Sequence, residues 1–460
     1  MLSLAQLSKK IDAQYIGRDQ AITDFSIDSR TINPGEIFVA IKGEHFDGHN
    51  FIKDAIEKGA SAVVMQDVVH FQNQIPKILV KDTSLALGQM AKIWRSQFNI
   101  PVVAITGSCG KTSTKEMLAH ILRQKGETLA TQGNLNNHYG VPLTLLRLRA
   151  QHKFAVVELG INLVGEMFYL ANMVTPSMVL ITNIGSSHLE GLNSLAGVSS
   201  EKSELFKHLA EEGVAIINLD EPFSSTWEDK IGEHTTITYS LRDSGNADVK
   251  VSNGETNAKG SYFTLHTTLG DKDMFVPLLG EHTINNALAA ATTAMALGAD
   301  LQQLQAGFAN MSPIKGRLCP YKLPNNVTLI DDSYNASVNS VKSALKLLSE
   351  FPGKHILVIS NMVEMGQYAE QYHMDLGLWA KHYEIDQLLL FGQRDLLQHV
   401  INVCGKKAEY FSSKEDLFRK LKELLETASD MTILIKGARS KRMEVIVERL
   451  LENRQYVNAV

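Results

Sequence analysis

The chain has 460 residues, more than one ordinary hydrophobic core accommodates, so roughly two to four domains are expected. Hydrophobic residues at 44% and charged residues at 21% describe a globular chain rather than a disordered one, and a net charge of -5 argues against general nucleic-acid binding, which needs a basic face. The three cysteines, Cys109, Cys319 and Cys404, are scattered and odd in number, so neither a disulfide framework nor a cysteine zinc site is visible, and a reducing, cytoplasmic setting is expected.

Met1-Leu2-Ser3-Leu4-Ala5-Gln6 turns polar too soon for a secretory signal core. Short apolar runs then alternate with helix-length segments, the α/β pattern. The first runs are Ile37–Ile41, Ala62–Met65 and Ile78–Val80. After Lys81-Asp82 a helical segment, about Leu85–Phe98, leads into the strand Val102–Thr106, and further runs follow at Ala155–Leu159, Met178–Ile184 and Val214–Leu219. The Gly- and Asn-dotted stretch 244–262 predicts small β-structure at a domain edge. The stretch 282–299 lacks Lys, Arg, Asp and Glu, yet its Asn, Thr and Gly residues suit a packed helix better than a membrane span. A third block opens near Ser312-Pro313, with apolar runs Val327–Ile330, Ile356–Ile359, Gln387–Phe391 and Thr432–Ile435. The reading is therefore three α/β domains, divided as 1–82, 83–312 and 313–460.

The sharpest local feature is Gly107-Ser108-Cys109-Gly110-Lys111-Thr112-Ser113, between an apolar strand and a helix (Thr114–Lys125) that Gly126 stops. Backbone N–H groups of such a loop, with the helix N-terminus behind them, cradle polyphosphate. Lys111 would neutralise the β/γ oxygens and the Thr112 hydroxyl would ligate Mg2+. The full phosphate-loop pattern asks for a further Gly where Ile105 stands, so the match is G-x-x-G-K-T. ATP binding follows, but the loop alone does not name a reaction.

Glu158 ends the next strand, where open α/β sheets bind ligands, and one carboxylate with Thr112 and phosphate oxygens makes a Mg2+ site. His188 follows the strand after that. Taken singly, it reads as a satisfied loop residue, and Lys202, on a helical segment 197–209 beside Glu201 and Glu204, reads equally as a solvated helix face.

Taken in order, the motifs resemble the Mur ligases along nearly the whole chain. Asn134-Leu135-Asn136-Asn137, Gly140-Val141-Pro142, Glu158-Leu159-Gly160 and His188-Leu189-Glu190 are similar to that family's central domain. Asp331-Asp332-Ser333-Tyr334-Asn335-Ala336, Lys436-Gly437-Ala438-Arg439-Ser440 and Met443-Glu444 resemble its C-terminal domain, and Asp28-Ser29-Arg30 with Phe46-Asp47-Gly48-His49 its UDP-sugar domain. Thr283, Ser337-Val338, Ser360-Asn361 and Glu201 depart from the family pattern.

The resemblance implies a small α/β UDP-substrate domain, a central P-loop ATPase-like domain with a mostly parallel sheet, and a C-terminal Rossmann-like domain. It implies an ATP-dependent ligase that joins D-alanyl-D-alanine to a UDP-N-acetylmuramoyl tripeptide, without membrane or nucleic-acid partners and as a monomer. Gly107, Ser108, Cys109, Gly110, Lys111, Thr112 and Ser113 would hold ATP phosphates, with His282 and Asn286 near adenine and Arg317 and Asp332 toward phosphate and ribose. Thr112 and Glu158 would hold one Mg2+, and His188 with a CO2-derived carbamate on Lys202 would serve a second. Lys111, Glu158, His188, Lys202 and Arg317 are then the expected catalytic set. Ser29, Arg30, Asn134, Asn136 and Asn137 would contact the UDP-muramoyl substrate, and Tyr334 and Asn335 are further substrate candidates. A sister ligase, a folylpolyglutamate-type enzyme and a P-loop switch protein are the rival readings. The third residue of the tripeptide, diaminopimelate or lysine, stays open.

Overall fold

The computed structural model describes residues 2–43, 46–67, 75–242, 247–427 and 429–452, and the backbone of 457–458. Three sheets form in chain order, each dressed with helices.

The first sheet has the order Gln14–Ile16, Lys77–Leu79, Ala62–Met65, Ile37–Val39, Phe25–Ser26. Its strands are parallel except Gln14–Ile16, which runs antiparallel at one edge. Phe38, Ala40, Val63 and Met65 pack on one face beneath helix Ile52–Glu57, whereas Ile37, Val39 and Val64 join the core shared with helix Thr83–Arg95. Covering both faces is why these strands read as unbroken apolar runs. The change of style at Lys81-Asp82 is a helix start, with Asp82 Oδ1 accepting from Leu85 N at 2.8 Å.

The central sheet has nine strands, in the order Gly270–Val276, Gly260–Thr267, Val249–Asn257, Thr235–Ser240, Val214–Asn218, Met178–Ile181, Val102–Thr106, Phe154–Glu158, Thr128–Ala130. The first two run antiparallel to their neighbours and the rest are parallel. The expected edge β-structure is thus a hairpin that extends the main sheet; residues 244–246 of that stretch lie outside the described residues. Val102–Thr106 lies between Phe154–Glu158 and Met178–Ile181, so successive connections leave it in opposite directions. A crevice opens at the carboxyl ends of these three strands.

Helix Lys111–Arg123 packs Met117, Leu118, Ile121 and Leu122 against the alanines of helix Glu281–Ala296. The charge-free 282–299 stretch is therefore a buried helix, and among the described residues no helix is long and apolar enough to cross a membrane. The expected helix 197–209 divides into α-helix Leu195–Ser203 and a 3-10 turn Glu204–His208. Ser203 Oγ donates back to the Ser200 carbonyl at 3.1 Å where the winding changes.

The third sheet has the order Ala408–Phe411, Gln387–Phe391, Lys354–Ser360, Met431–Lys436, Val327–Asp332, Cys319–Leu323, Val457–Asn458, parallel except for the last two strands. Helices Val338–Ser349, Ala369–His382 and Arg394–Cys404 cover one face, and Lys414–Thr427 with Glu444–Glu452 the other.

Candidate active site

The phosphate loop leaves the Val102–Thr106 strand with two glycines in conformations that side chains rarely adopt. Gly107 has φ +150 and Gly110 φ +80. A Cβ on Gly107 would lie 1.9 Å from Thr182 Oγ1, and one on Gly110 2.3 Å from Asn286 Oδ1. The loop is held from the next strand: Ser108 N donates to the Asn183 carbonyl, Cys109 N to Asn183 Oδ1 at 2.9 Å, and Thr182 Oγ1 to the Cys109 carbonyl at 2.6 Å. Lys111 folds back to donate to the Gly107 carbonyl. Burial pushes its pKa down, with Glu158 and Cys109 opposing the shift and Arg317 adding to it.

Glu158 is 2% exposed at the end of its strand. Its Oε1 accepts from Asn136 Nδ2 at 2.8 Å, while Oε2 is buried without a hydrogen-bond partner. Lys202 is fully buried, and its Nζ also lacks a partner. Burial first and the neighbouring Lys111 second hold its pKa well below the ordinary lysine value, with Cys109 and Glu201 pulling the other way. The solvated-face reading of Lys202 is therefore wrong. Glu201 turns away and accepts from the backbone of Gly165 and Met167 at 3.0 and 2.9 Å. His188, at φ +60, starts the short helix Leu189–Leu192. Its Nδ1 lies 2.6 Å from Glu364 Oε2 in an ion-pair contact that is not aligned as a hydrogen bond.

The C-terminal sheet supplies the opposite wall. Lys436 Nζ donates to Asp332 Oδ2 at 2.5 Å and to the Asn335 carbonyl at 3.0 Å. Arg317 lies over the Tyr334 ring at 4.0 Å, Arg439 approaches the same ring at 5.6 Å, and the Tyr334 hydroxyl meets the Asn134 side chain. The Arg317 Nε is buried and unpartnered. Between the walls lies a cavity of about 390 Å³.

Ser108, Cys109, Gly110, Lys111, Ser113, Asn136, Asn137, Glu158, His188, His282, Asn286, Arg317, Asp332, Tyr334 and Asn335 all line this cavity. Orphaned buried donors and acceptors facing a cleft of oxygen ligands and cations suit a polyphosphate with its metal ions.

Three family models match the chain: Mur ligase family, catalytic domain over residues 21–95, Mur ligase middle domain over 105–294, and Mur ligase, glutamate ligase domain over 316–439. The UDP-N-acetylmuramoyl-tripeptide--D-alanyl-D-alanine ligase of Escherichia coli (strain K12) is 41% identical over 452 residues, 98% of this chain and 99% of that protein. This chain belongs to the Mur ligase family. The ligase of the same name from Haemophilus influenzae is 36% identical, covering 98% of each chain. Among solved structures, MurF from Acinetobacter baumannii superposes with a TM-score of 0.88 at 33% identity, covering 98% of each chain. MurF ligase from Thermotoga maritima in complex with ADP superposes with 0.78 at 25% identity, covering 92% of this chain and 96% of that one.

Not every expected residue of this Mur ligase reaches the cavity. Gly107, Thr112, Lys202 and Asn134 are not among the residues that line it. Ser29 and Arg30 are in the first domain, where the Ser29 carbonyl accepts from Lys58 Nζ at 3.0 Å and the exposed Arg30 guanidinium grips Asp28. Asp47, His49 and Asp67 cluster there with metal-ligand spacing. The ring of His49 is already committed, Nδ1 to Asp47 and Nε2 to the backbone N–H groups of Gln66 and Asp67, so this is a structural histidine. Leu278, Leu279, Asn162, Ser340 and Lys436 line the cavity without having been singled out as site residues. Asn162, Leu278 and Leu279 come from the central domain and Ser340 and Lys436 from the C-terminal one, so segments far apart in the chain assemble this lining.

Proposed function

We propose that this Mur ligase joins D-alanyl-D-alanine to a UDP-N-acetylmuramoyl tripeptide at the expense of ATP, giving ADP, phosphate and the pentapeptide precursor of peptidoglycan. The observation that carries the chemistry is the cavity in which the phosphate loop, Glu158 and His188 face Arg317, Tyr334 and Asp332 of the C-terminal sheet. The choice of substrates rests on the full-length similarity to ligases named for them.

A free carboxylate is a poor electrophile and needs activation. The tripeptide's terminal carboxylate oxygen attacks the γ-phosphorus, the β–γ bridging P–O bond breaks, and ADP leaves behind an acyl phosphate. The dipeptide's amine then attacks the carbonyl carbon, a proton is lost from nitrogen, and the C–O bond to phosphate breaks. Lys111 swings from its own loop to the β/γ oxygens, and Arg317 neutralises the charge that builds on the transferred phosphate. The phosphate-loop backbone at Gly107, Ser108, Cys109, Gly110, Thr112 and Ser113 cradles the phosphates, with His282 and Asn286 at the adenine and Asp332 at the ribose. The cavity walls close around the acyl phosphate and keep water from it.

Mg2+ fits the donor set, because Glu158 Oε2 is buried without a partner. Thr112, Glu158 and His188 would hold metal. Lys202 would complete the set as a carbamate, which its buried, unpartnered amine suits. Bound Mg2+ supplies charge neutralisation at the phosphates. Ser29, Arg30, Asn134, Asn136 and Asn137 would meet the UDP-muramoyl substrate, and Tyr334 and Asn335 the peptide ends. Residues 1–82, 83–312 and 313–460 would then hold UDP, ATP and dipeptide in turn. The chain is read as a monomer, and its three scattered cysteines suit a reducing, cytoplasmic setting.

Mass spectrometry of products from ATP, UDP-muramoyl tripeptide and D-alanyl-D-alanine tests the reading, with diaminopimelate and lysine tripeptides run in parallel. A pentapeptide product formed only when the dipeptide is present supports it. Phosphate release that ignores the dipeptide defeats it.

A further inference from the structure

Glu364 belongs to the loop after the Lys354–Ser360 strand of the C-terminal sheet, and His188 to the central domain, yet their side chains meet at 2.6 Å. Both residues hold positive φ, +62 for Glu364 and +60 for His188. Such strain in a non-glycine residue persists only where the surroundings enforce it. Here the enforcement is visible. Ser360 Oγ accepts from Ala438 N at 2.9 Å, and Asn361 Oδ1 accepts from Gln393 N at 3.0 Å. The fully buried His373 accepts from Met362 N at 3.1 Å through Nε2 while its Nδ1 contacts the Ala369 carbonyl.

The C-terminal domain thus builds the loop from its own parts and offers the Glu364 carboxylate outward. Among the described residues that carboxylate makes one side-chain ion pair, with His188. Two further contacts seat the loop and the following helix on the central domain: Glu190 N donates to the Glu364 carbonyl at 3.4 Å, and Tyr372 Oη to Ser186 Oγ at 3.3 Å.

We propose that Glu364 is a positioning residue for the ligase reaction: when the C-terminal domain docks, its carboxylate takes Nδ1 of His188 and aims the imidazole into the cavity. A ring nitrogen held by a carboxylate fixes the orientation and tautomer of the other nitrogen, which is how partners behind a histidine ligand act. His188 lines the cavity, so the nitrogen left over is Nε2. The reacting phosphate and the dipeptide-side domain are thereby linked through one contact, and the imidazole is correctly set only in the docked arrangement. The inference rests on the ligase reading and adds to it a residue outside the cavity lining.

The test is a double-mutant cycle on the full chain with His188→Ala, Glu364→Ala, both together, and Glu364→Gln. Glu364→Ala is expected to lower kcat by roughly 10–100-fold, the usual range for losing such a partner. The KM for ATP should move far less, and Glu364→Gln, which keeps the shape of the side chain but loses its charge, should fall between Glu364→Ala and wild type. The double variant should be no slower than His188→Ala alone. As a readout apart from turnover, electron paramagnetic resonance should show weaker Mn2+ binding to the ADP complex of Glu364→Ala at an unchanged unfolding temperature. Independent multiplication of the two single losses, or wild-type kcat in Glu364→Ala, overturns the proposal. A wild-type protein that makes no pentapeptide defeats the ligase reading instead.

Discussion

Lys436 and Asp332 face each other directly across neighbouring parallel strands, and the lysine ammonium donates to the carboxylate at 2.5 Å with side-chain exposures of 2% and 10%. Breaking such a pair by removing one partner leaves a buried charge uncompensated, at a cost of about 3–5 kcal/mol. Lys436→Met is therefore expected to lower the unfolding free energy by that order in a denaturant titration. The double variant Lys436→Met, Asp332→Leu should recover much of the loss, since neither charge remains. A single variant as stable as wild type would mean the pair contributes nothing to folding.

Gly110 stands where Asn286 leaves no room, 2.3 Å from the position of an added Cβ, and its φ of +80 strains any side chain. Gly110→Ala should push the loop off Asn286 and spread its N–H groups, raising the ATP dissociation constant at least tenfold by calorimetry, while circular dichroism stays native. Lys111→Ala should lose product formation as well, because it removes the cation placed at the β/γ-phosphates. Tight ATP binding by both variants would remove the nucleotide from this loop.

Much of this architecture could be read from the chain because strands covered on both faces, such as Val102–Thr106 and Ala62–Met65, carry unbroken apolar runs. The phosphate loop and Glu158 were legible for a related reason: both stand at carboxyl ends of such strands. Thr128–Ala130 and Phe25–Ser26 are too short to show a period. Thr235–Ser240 runs from exposed to buried and so alternates poorly. Lys202 was ambiguous because its neighbours Glu201 and Glu204 suggest a wet helix face; Glu201 is instead consumed by backbone N–H groups, leaving the lysine sealed inside. Lys436, Leu278 and Glu364 acquire their roles from contacts far along the chain, and local pattern carries no trace of that.

The three cysteines differ in setting. Cys319 and Cys404 are buried, and burial pushes both thiols up. Cys109 is half-buried on the phosphate loop, its Sγ 3.3 Å from Ser337 Oγ of the opposite wall. Cys109 is the accessible thiol of the three, so it alone should react quickly with a maleimide. ATP bound on the loop should cover it and slow labelling at least tenfold. Peptide mapping decides the matter: equal labelling of Cys109 with and without nucleotide would detach it from the ATP site.

Lys202 yields the most informative pH dependence. Its pKa is pulled well below 10.5 by burial and by Lys111, so its folded form favours the neutral amine. The unfolded lysine titrates near about 10.4, so between the depressed folded pKa and that value the unfolded chain binds more protons. Unfolding free energy therefore rises with pH in this window, by at most about 1.4 kcal/mol per pH unit from one group. Metal-free, bicarbonate-free protein should accordingly gain stability as the pH rises toward the ordinary lysine range. Lys111 is shifted the same way, so Lys202→Met should flatten the slope without abolishing it. The neutral amine is also the form that attacks CO2: a C–N bond forms, one C–O π bond opens, a proton leaves nitrogen, and a carbamate anion replaces the amine. Adding bicarbonate should then stabilise wild type by mass action and leave Lys202→Met unmoved. In turnover, Lys202→Ala should lose most activity, and acetate or propionate should restore part of it by lending the missing carboxylate. Full activity in Lys202→Ala, or a bicarbonate effect identical in wild type and Lys202→Met, would reduce Lys202 to a buried structural amine.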